Sequence, residues 1–176
     1  MRAGAALGLL VLLCVCNREG IRTADEALLV SLSQARAWQR RADLHLQGGD
    51  VAAAIEDVKE VLKVPFPPGA TEAEDVRLDA RARLAQLYLK SAPGSEKAEA
   101  EALEQVQAGL REATRDSFFR AHLESVLAEV YEARAQRVAD PAAQAEARRL
   151  ALQALERAIQ IDRRLQHSLL GGREAM

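Results

Sequence analysis

Ala42, Ala85 and Ala128 stand 43 residues apart, and so do His45, Tyr88 and Tyr131 three places further on. A small residue followed one turn later by a ring, returning at a fixed long interval, means one supersecondary unit used three times, and that decides the fold before any motif does. Three further sets answer the first: Ala54, Ile55, Val58, Val61 and Leu62; Ala102, Leu103, Val106, Gly109 and Leu110; Ala151, Leu152, Leu155, Ala158 and Ile159. Each has the i, i+1, i+4, i+7, i+8 spacing of one helix face. Two helices therefore alternate, and the separation of their small residues grows from 12 to 17 to 23. The added length is expected to lie in both arms of the third hairpin.

Breaks fall at QGGD (47–50), VPFPPGA (64–70), SAPGS (91–95), near Thr114 to Ser117, and at ADP (139–141). Gly and Pro end helices because of their backbone geometry. Asp50 and Asp140 suit N-caps, with Pro141 at the first helical position, where a missing N–H leaves no bond unmade. Thr23 with Glu26, and Thr71 with Glu74, have the spacing of capping boxes. These signals predict six helices, roughly 24–47, 51–63, 72–91, 96–114, 117–138 and 141–167. Ala makes up about a fifth of the chain and aromatics 3%, so the packing must bring small residues and backbones together. No strand is expected, because alternating runs of Val, Ile and Thr are missing. A net charge of −2 gives no basic field, and nucleic acid is not expected as a partner.

The first residues read differently. Arg2 precedes an uncharged apolar run from Ala3 to Val15, then Cys16 and the polar NREG. As a helix the run measures roughly 20 Å, short of the roughly 30 Å hydrocarbon core. A charged start, a short apolar stretch and a polar exit have the layout of an export signal. Leu13, Cys14, Val15 and Cys16 resemble the lipobox of a bacterial lipoprotein at the Leu and the Cys, with Cys14 and Val15 where small residues are usual. That resemblance implies a signal at 1–16, lipid on Cys16, a tether at 17–23 and a periplasmic protein held at the membrane, the outer membrane being the expected one. An export signal retained or cut elsewhere, Cys14 as the modified residue, and an apolar start without targeting meaning are the other readings. Both cysteines lie in this segment, so the rest of the chain has no disulfide or thiolate site.

The repeat itself resembles the tetratricopeptide repeat (TPR). Its pattern is met by Trp38, Ala42, His45, Gly49, Asp50, Ala54, Val58 and Val61; by Leu84, Ala85, Tyr88, Ala102, Val106 and Gly109; and by Leu127, Ala128, Tyr131, Ala151, Leu155 and Ala158. Arg41 stands where Leu is expected, and Arg81 and Glu124 replace Trp38 in the later copies. The resemblance covers about 35–162. It implies an all-α fold, a right-handed superhelical stack of three degenerate hairpins spanning 24–167, with a flexible tail at 168–176. It also implies a partner-binding groove on the first helix of each hairpin: Arg36, Gln39, Asp43 and Gln47; Asp79, Arg83, Gln86 and Lys90; His122, Ser125 and Glu129. The Lys and Asn with which some family members clamp a C-terminal carboxylate are absent there. A solvated charged face without a partner would use the same residues.

His45, His122 and His167 share no metal-ligand spacing, so no metal and no other cofactor is expected. His45, Trp38 and the two tyrosines read as packing residues. Of Phe118 and Phe119, one should face inward and the other could be an exposed anchor. Glu72 with Glu74, and Glu99 with Glu101, fall in helix first turns, where they oppose the dipole favourably. Neither a phosphate loop nor a nucleophile with an evident base occurs, which argues against an enzyme. The expected role is a lipid-anchored adaptor or scaffold for protein partners in the bacterial envelope, assembling an outer-membrane, secretion or pilus-type complex. A helical-bundle sensor or carrier for a small ligand is the alternative.

Overall fold

In a computed structural model the backbone is described from 5 to 171 and the side chains from 23 to 170. The expected signal at 1–16 and Cys16 thus lie outside the residues whose side chains are described. The described chain is all-helical: α1 (Ala5–Gln47), α2 (Val51–Lys63), α3 (Thr71–Ser91), α4 (Glu96–Glu112), α5 (Phe118–Arg137) and α6 (Pro141–Gly171). Each helix packs against the next, and α3 packs against α5 as well. Among the described residues no helix is long and apolar enough to cross a membrane.

Helix ends follow the local chemistry where a short polar side chain is free to cap. Asp50 accepts from the Ala53 amide at 2.9 Å, Asp140 from Ala143 at 2.9 Å and Ser117 from Arg120 at 3.1 Å. Gly49, at φ 81°, turns the chain between α1 and α2 in the left-handed region that favours glycine. Neither expected capping box forms. Thr71 is already helical, its N-cap Ala70 makes no side-chain bond, and Glu74 instead binds the Thr114 amide at 3.1 Å and the Thr114 hydroxyl. Thr23 lies inside α1, which continues back to Ala5 through the stretch read as a tether at 17–23. No proline interrupts that stretch. The tail expected from 168 is likewise helical as far as Gly171, where a pair of glycines begins.

Two core clusters share α3. Ala80, Leu84 and Leu87 belong to the cluster with Ala42, Ala54, Val58 and Val61. Leu78, Ala82 and Ala85 belong to the cluster with Val106, Leu123, Val126, Ala128 and Ala151. Tyr88 packs against both. A helix buried on two faces has to lie inside the molecule, and α3 and α5 carry buried residues around most of their circumference. By contrast α6 buries one stripe, Ala147, Ala151, Ala154, Ala158 and Ile161, and leaves Leu152 and Ile159 exposed. Beyond the alanine crossings both arms lengthen from hairpin to hairpin. The first arm runs from Ala42 to Gln47, from Ala85 to Ser91 and from Ala128 to Arg137; the second begins at Val51, Glu96 and Pro141 before Ala54, Ala102 and Ala151.

Ion pairs occupy the places where the repeat pattern is broken. Arg41 pairs with the Asp57 carboxylate, which is only 2% exposed, and lies 4.2 Å from the Trp38 ring centre. Hydrogen bonding from Arg41 holds Asp57 below the usual carboxylate range against the opposing effect of burial. In the slot of Trp38, Arg81 bonds Glu112 and Gln105 in the second copy, and Glu124 bonds Arg157 at 2.9 Å in the third. Glu99, read from its position as a helix-start carboxylate, is buried and bound by Arg134 and by Arg137 at 3.0 Å. At Asp57, Glu99 and Glu124 the carboxylate is the buried member, so moving the arginine away would leave a charge unpaired in a dry setting, which favours one alignment of neighbouring helices.

Candidate functional site

Three polar rungs join the first helices of successive hairpins. Gln39 on α1 donates through Nε2 to Asp79 Oδ2 on α3 at 3.1 Å. One turn on, Arg83 donates to Asp43. Another turn on, Gln86 Nε2 donates to Glu129 Oε1 at 3.1 Å and Oε2 at 3.2 Å, joining α3 to α5. The first two rungs join residues 40 apart and the third residues 43 apart, and they line up because positions three or four residues along a helix share a face. Six of the eleven residues assigned to the groove are therefore tied to one another.

The others divide. His122 is close enough to Asp79 to favour its charged form, and its ring lies parallel to Phe118 at 6.2 Å. Ser125 bonds back to the Ala121 carbonyl at 3.2 Å, satisfying itself within α5. Arg36 stands on the wall of a cleft described below. Gln47 and Lys90 are exposed. His45 is half-buried, with Nε2 3.6 Å from Asp57 Oδ2, and belongs to the packing beneath the face. Phe119 packs on the core, whereas Phe118 is 67% exposed.

A half-open cleft of about 280 Å³ lies toward the α3 N-terminus, between α1, α3 and the first turn of α5. Leu32, Ala35, Arg36 and Gln39 come from α1, Glu72, Asp75, Val76 and Asp79 from α3, and Phe119 from α5. The spacing 72, 75, 76, 79 is again one helix face, so the groove extends one to two turns further than the residues first assigned to it. Burial pushes the Asp79 carboxyl up, against the opposing influence of His122, Arg83 and the Gln39 hydrogen bond. Asp75 binds Arg115 at 2.7 Å through Oδ2, while its Oδ1 is buried without a hydrogen-bond partner. A second cleft of about 280 Å³ lies at the α3–α4 turn, lined by Leu89, Pro93, Glu99 and Arg137 among others. Among the described residues no three His, Cys, Asp or Glu side chains gather as metal ligands would.

Such a surface can hold extended or helical chain by hydrogen bonds and charge pairs. Comparison with protein-family models, with curated proteins and with solved structures finds no match for this chain.

Proposed function

We propose that the chain is a TPR-like adaptor, a stack of three helical hairpins, which grips a protein partner on the shared face of α1, α3 and α5. The observation that carries this reading is the run of rungs Gln39–Asp79, Asp43–Arg83 and Gln86–Glu129, which aligns three helices into one polar wall. The division of α3 between two cores supports sequential stacking, as does the lack of extended packing between α1 or α2 and α6 among the described residues. Neighbour-only packing is what a stack of repeats requires. The charged start, apolar run and Leu13 to Cys16 support export and a lipid anchor on Cys16 at the periplasmic side of a bacterial membrane. Holding or assembling an envelope complex is the role that combines both parts.

Two experiments separate them. Partitioning into the detergent phase should be lost in Cys16→Ser; a variant that stays equally membrane-bound removes the anchor. A photo-crosslinking residue at Lys90, on the groove face, should give a discrete adduct in native membranes, and one at Gln153, on exposed α6, should not. Equal labelling from both positions contradicts the groove.

A further inference from the structure

The last helix, α6, leaves bare a face that its counterparts have covered. Ile55, Val58 and Leu62 on α2 share a core with Ala80, Leu84 and Leu87 of the following helix α3. Leu103, Val106 and Leu110 on α4 share one with Leu123, Leu127 and Val130 of the following helix α5. Leu152, Leu155 and Ile159 take the same places on α6, but among the described residues no helix follows, and Leu152 is 62% and Ile159 50% exposed. The head of the stack is finished otherwise. At the place of Leu84 and Leu127, α1 carries Arg41, exposed and bonded to Asp57. A stack of repeats stays soluble when its end faces are polar, and α6 keeps the apolar residues of an inner helix.

Both inner interfaces describe the helix that fits such a face. It runs antiparallel to the helix beneath and presents apolar side chains at i, i+4 and i+7, as Ala80, Leu84 and Leu87 do on α3 and Leu123, Leu127 and Val130 on α5. Charge adds a selection. On α4 the buried Glu99 lies against Arg134 and Arg137 of α5. The same place on α6 is Arg148, one turn before Leu152 and with no ion pair among the described residues, whereas its neighbour Arg149 is paired with Glu146. A covering helix therefore needs a carboxylate at i+11, where α5 has Arg134. Another copy of this chain does not supply it. Stacked head to tail, it would bring Arg41 to the place of Leu84 and Leu127; an antiparallel second α6 that set Leu152 against Ile159 would set Arg148 against Arg163.

We propose that the outer face of α6 is a second docking surface, for an amphipathic helix of a protein partner that lies antiparallel to α6. Its apolar residues at i, i+4 and i+7 pack on Leu152, Leu155 and Ile159, and its carboxylate at i+11 meets Arg148. The surface is separate from the wall of α1, α3 and α5. Gln153 is turned about 100° round α6 from Leu152, on the side opposite Leu155, and lies off this stripe.

The probe is a synthetic peptide with the sequence of 117–138, in which Arg134→Glu supplies the carboxylate; the unaltered sequence is its control. Added to the full chain in detergent, labelled with nitrogen-15, the altered peptide should give saturable amide shifts around Leu152, Leu155 and Ile159, and the control should bind about fivefold more weakly. Two variants at exposed positions follow. Leu152→Lys should weaken the altered peptide about tenfold, and Arg148→Glu should reverse the preference between the two peptides. Shifts that do not saturate or that lie off α6, binding untouched by Leu152→Lys, or the same preference in the parent and in Arg148→Glu overturn the proposal. Sedimentation of the free chain should show a monomer. A dimer that Leu152→Lys splits would give the face to a second copy and overturn the partner helix.

Discussion

Gly109 lies in the last turn of α4, facing the side chains of Arg81 from α3 and Leu123 from α5. A Cβ at this position would fall 2.7 Å from Leu123 Cδ1, 3.2 Å from Leu123 Cδ2 and 3.3 Å from Arg81 Cδ. In an open helix Gly→Ala stabilises by about 1 kcal/mol, because alanine has less backbone freedom to lose. Here the new methyl meets a fully buried leucine packed among Leu78, Ala82, Val106 and Val126, and an arginine whose head is fixed to Glu112 and Gln105. Forcing a methyl into such a core costs about 1–3 kcal/mol. The two effects leave Gly109→Ala about 1 kcal/mol less stable than the parent, or about 2–4 °C in Tm for a chain of this size. Removing the obstacle should reverse the sign. In a Leu123→Val background the same substitution is expected to stabilise by about 1 kcal/mol, so the coupling between the two sites is on the order of 2 kcal/mol. Urea unfolding followed by circular dichroism at 222 nm over the four chains of the cycle measures it. Gly109→Ala that stabilises the parent by the full helix-propensity amount, with no coupling to Leu123, would refute the claim that Leu123 leaves no room for a methyl at this glycine.

Two predictions concern charge. Asp57 and Glu99 are both held below their ordinary values of 3.8 and 4.5: Asp57 by its hydrogen bond from Arg41, and Glu99 because the Arg137 and Arg134 bonds outweigh its burial. A carboxyl depressed in the fold contributes stability that is present above its unfolded pKa and lost as pH falls through the lower folded one, so unfolding midpoints should drop below pH 3.8–4.5 and not above. Glu99→Gln should shrink that acid dependence, and a chain as stable at pH 2.5 as at pH 7 would contradict the pairing. Asp79 has the opposite sign, since burial raises its pKa above 3.8; its contribution is present below that value and lost as pH rises through the folded pKa. Asp79→Asn, which keeps an oxygen for Gln39, should therefore remove a loss of stability on raising the pH from 3.8, seen as a flatter pH profile with a neutral-pH stability at least equal to the parent.

The helix borders at Asp50 and Asp140 were legible because capping is local: the side chain reaches its own helix and nothing distant competes. Glu74 shows where that logic ends. Its spacing from Thr71 is that of a capping box, but Thr114, 40 residues away, takes both oxygens. No one-dimensional pattern contains that competitor. The alternation of two helices was legible in the 43-residue interval, whereas the ion pairs that replace Trp38 at Arg81 and Glu124 depend on Glu112 and Arg157 in the partner helix. For the site, the eleven residues were chosen by their spacing along one helix face, and six of them prove to be bonded to one another across neighbouring helices, which no spacing reveals. The cleft upstream was missed because Glu72 was read from its helix start alone, though Glu72, Asp75, Val76 and Asp79 have the spacing of one face.

The claim beneath all of this is that α1, α3 and α5 form an open wall with α6 at its far end. Pulsed electron spin resonance can measure it on a chain with Cys14 and Cys16 replaced by Ser and spin labels at the exposed positions Arg40, Lys90, Glu129 and Gln153. The account predicts an Arg40 to Gln153 distance clearly longer than that from Lys90 to Glu129. An Arg40 to Gln153 distance as short as the neighbouring pair would place α6 beside α1, close the helices around one axis and leave no wall for a partner to occupy.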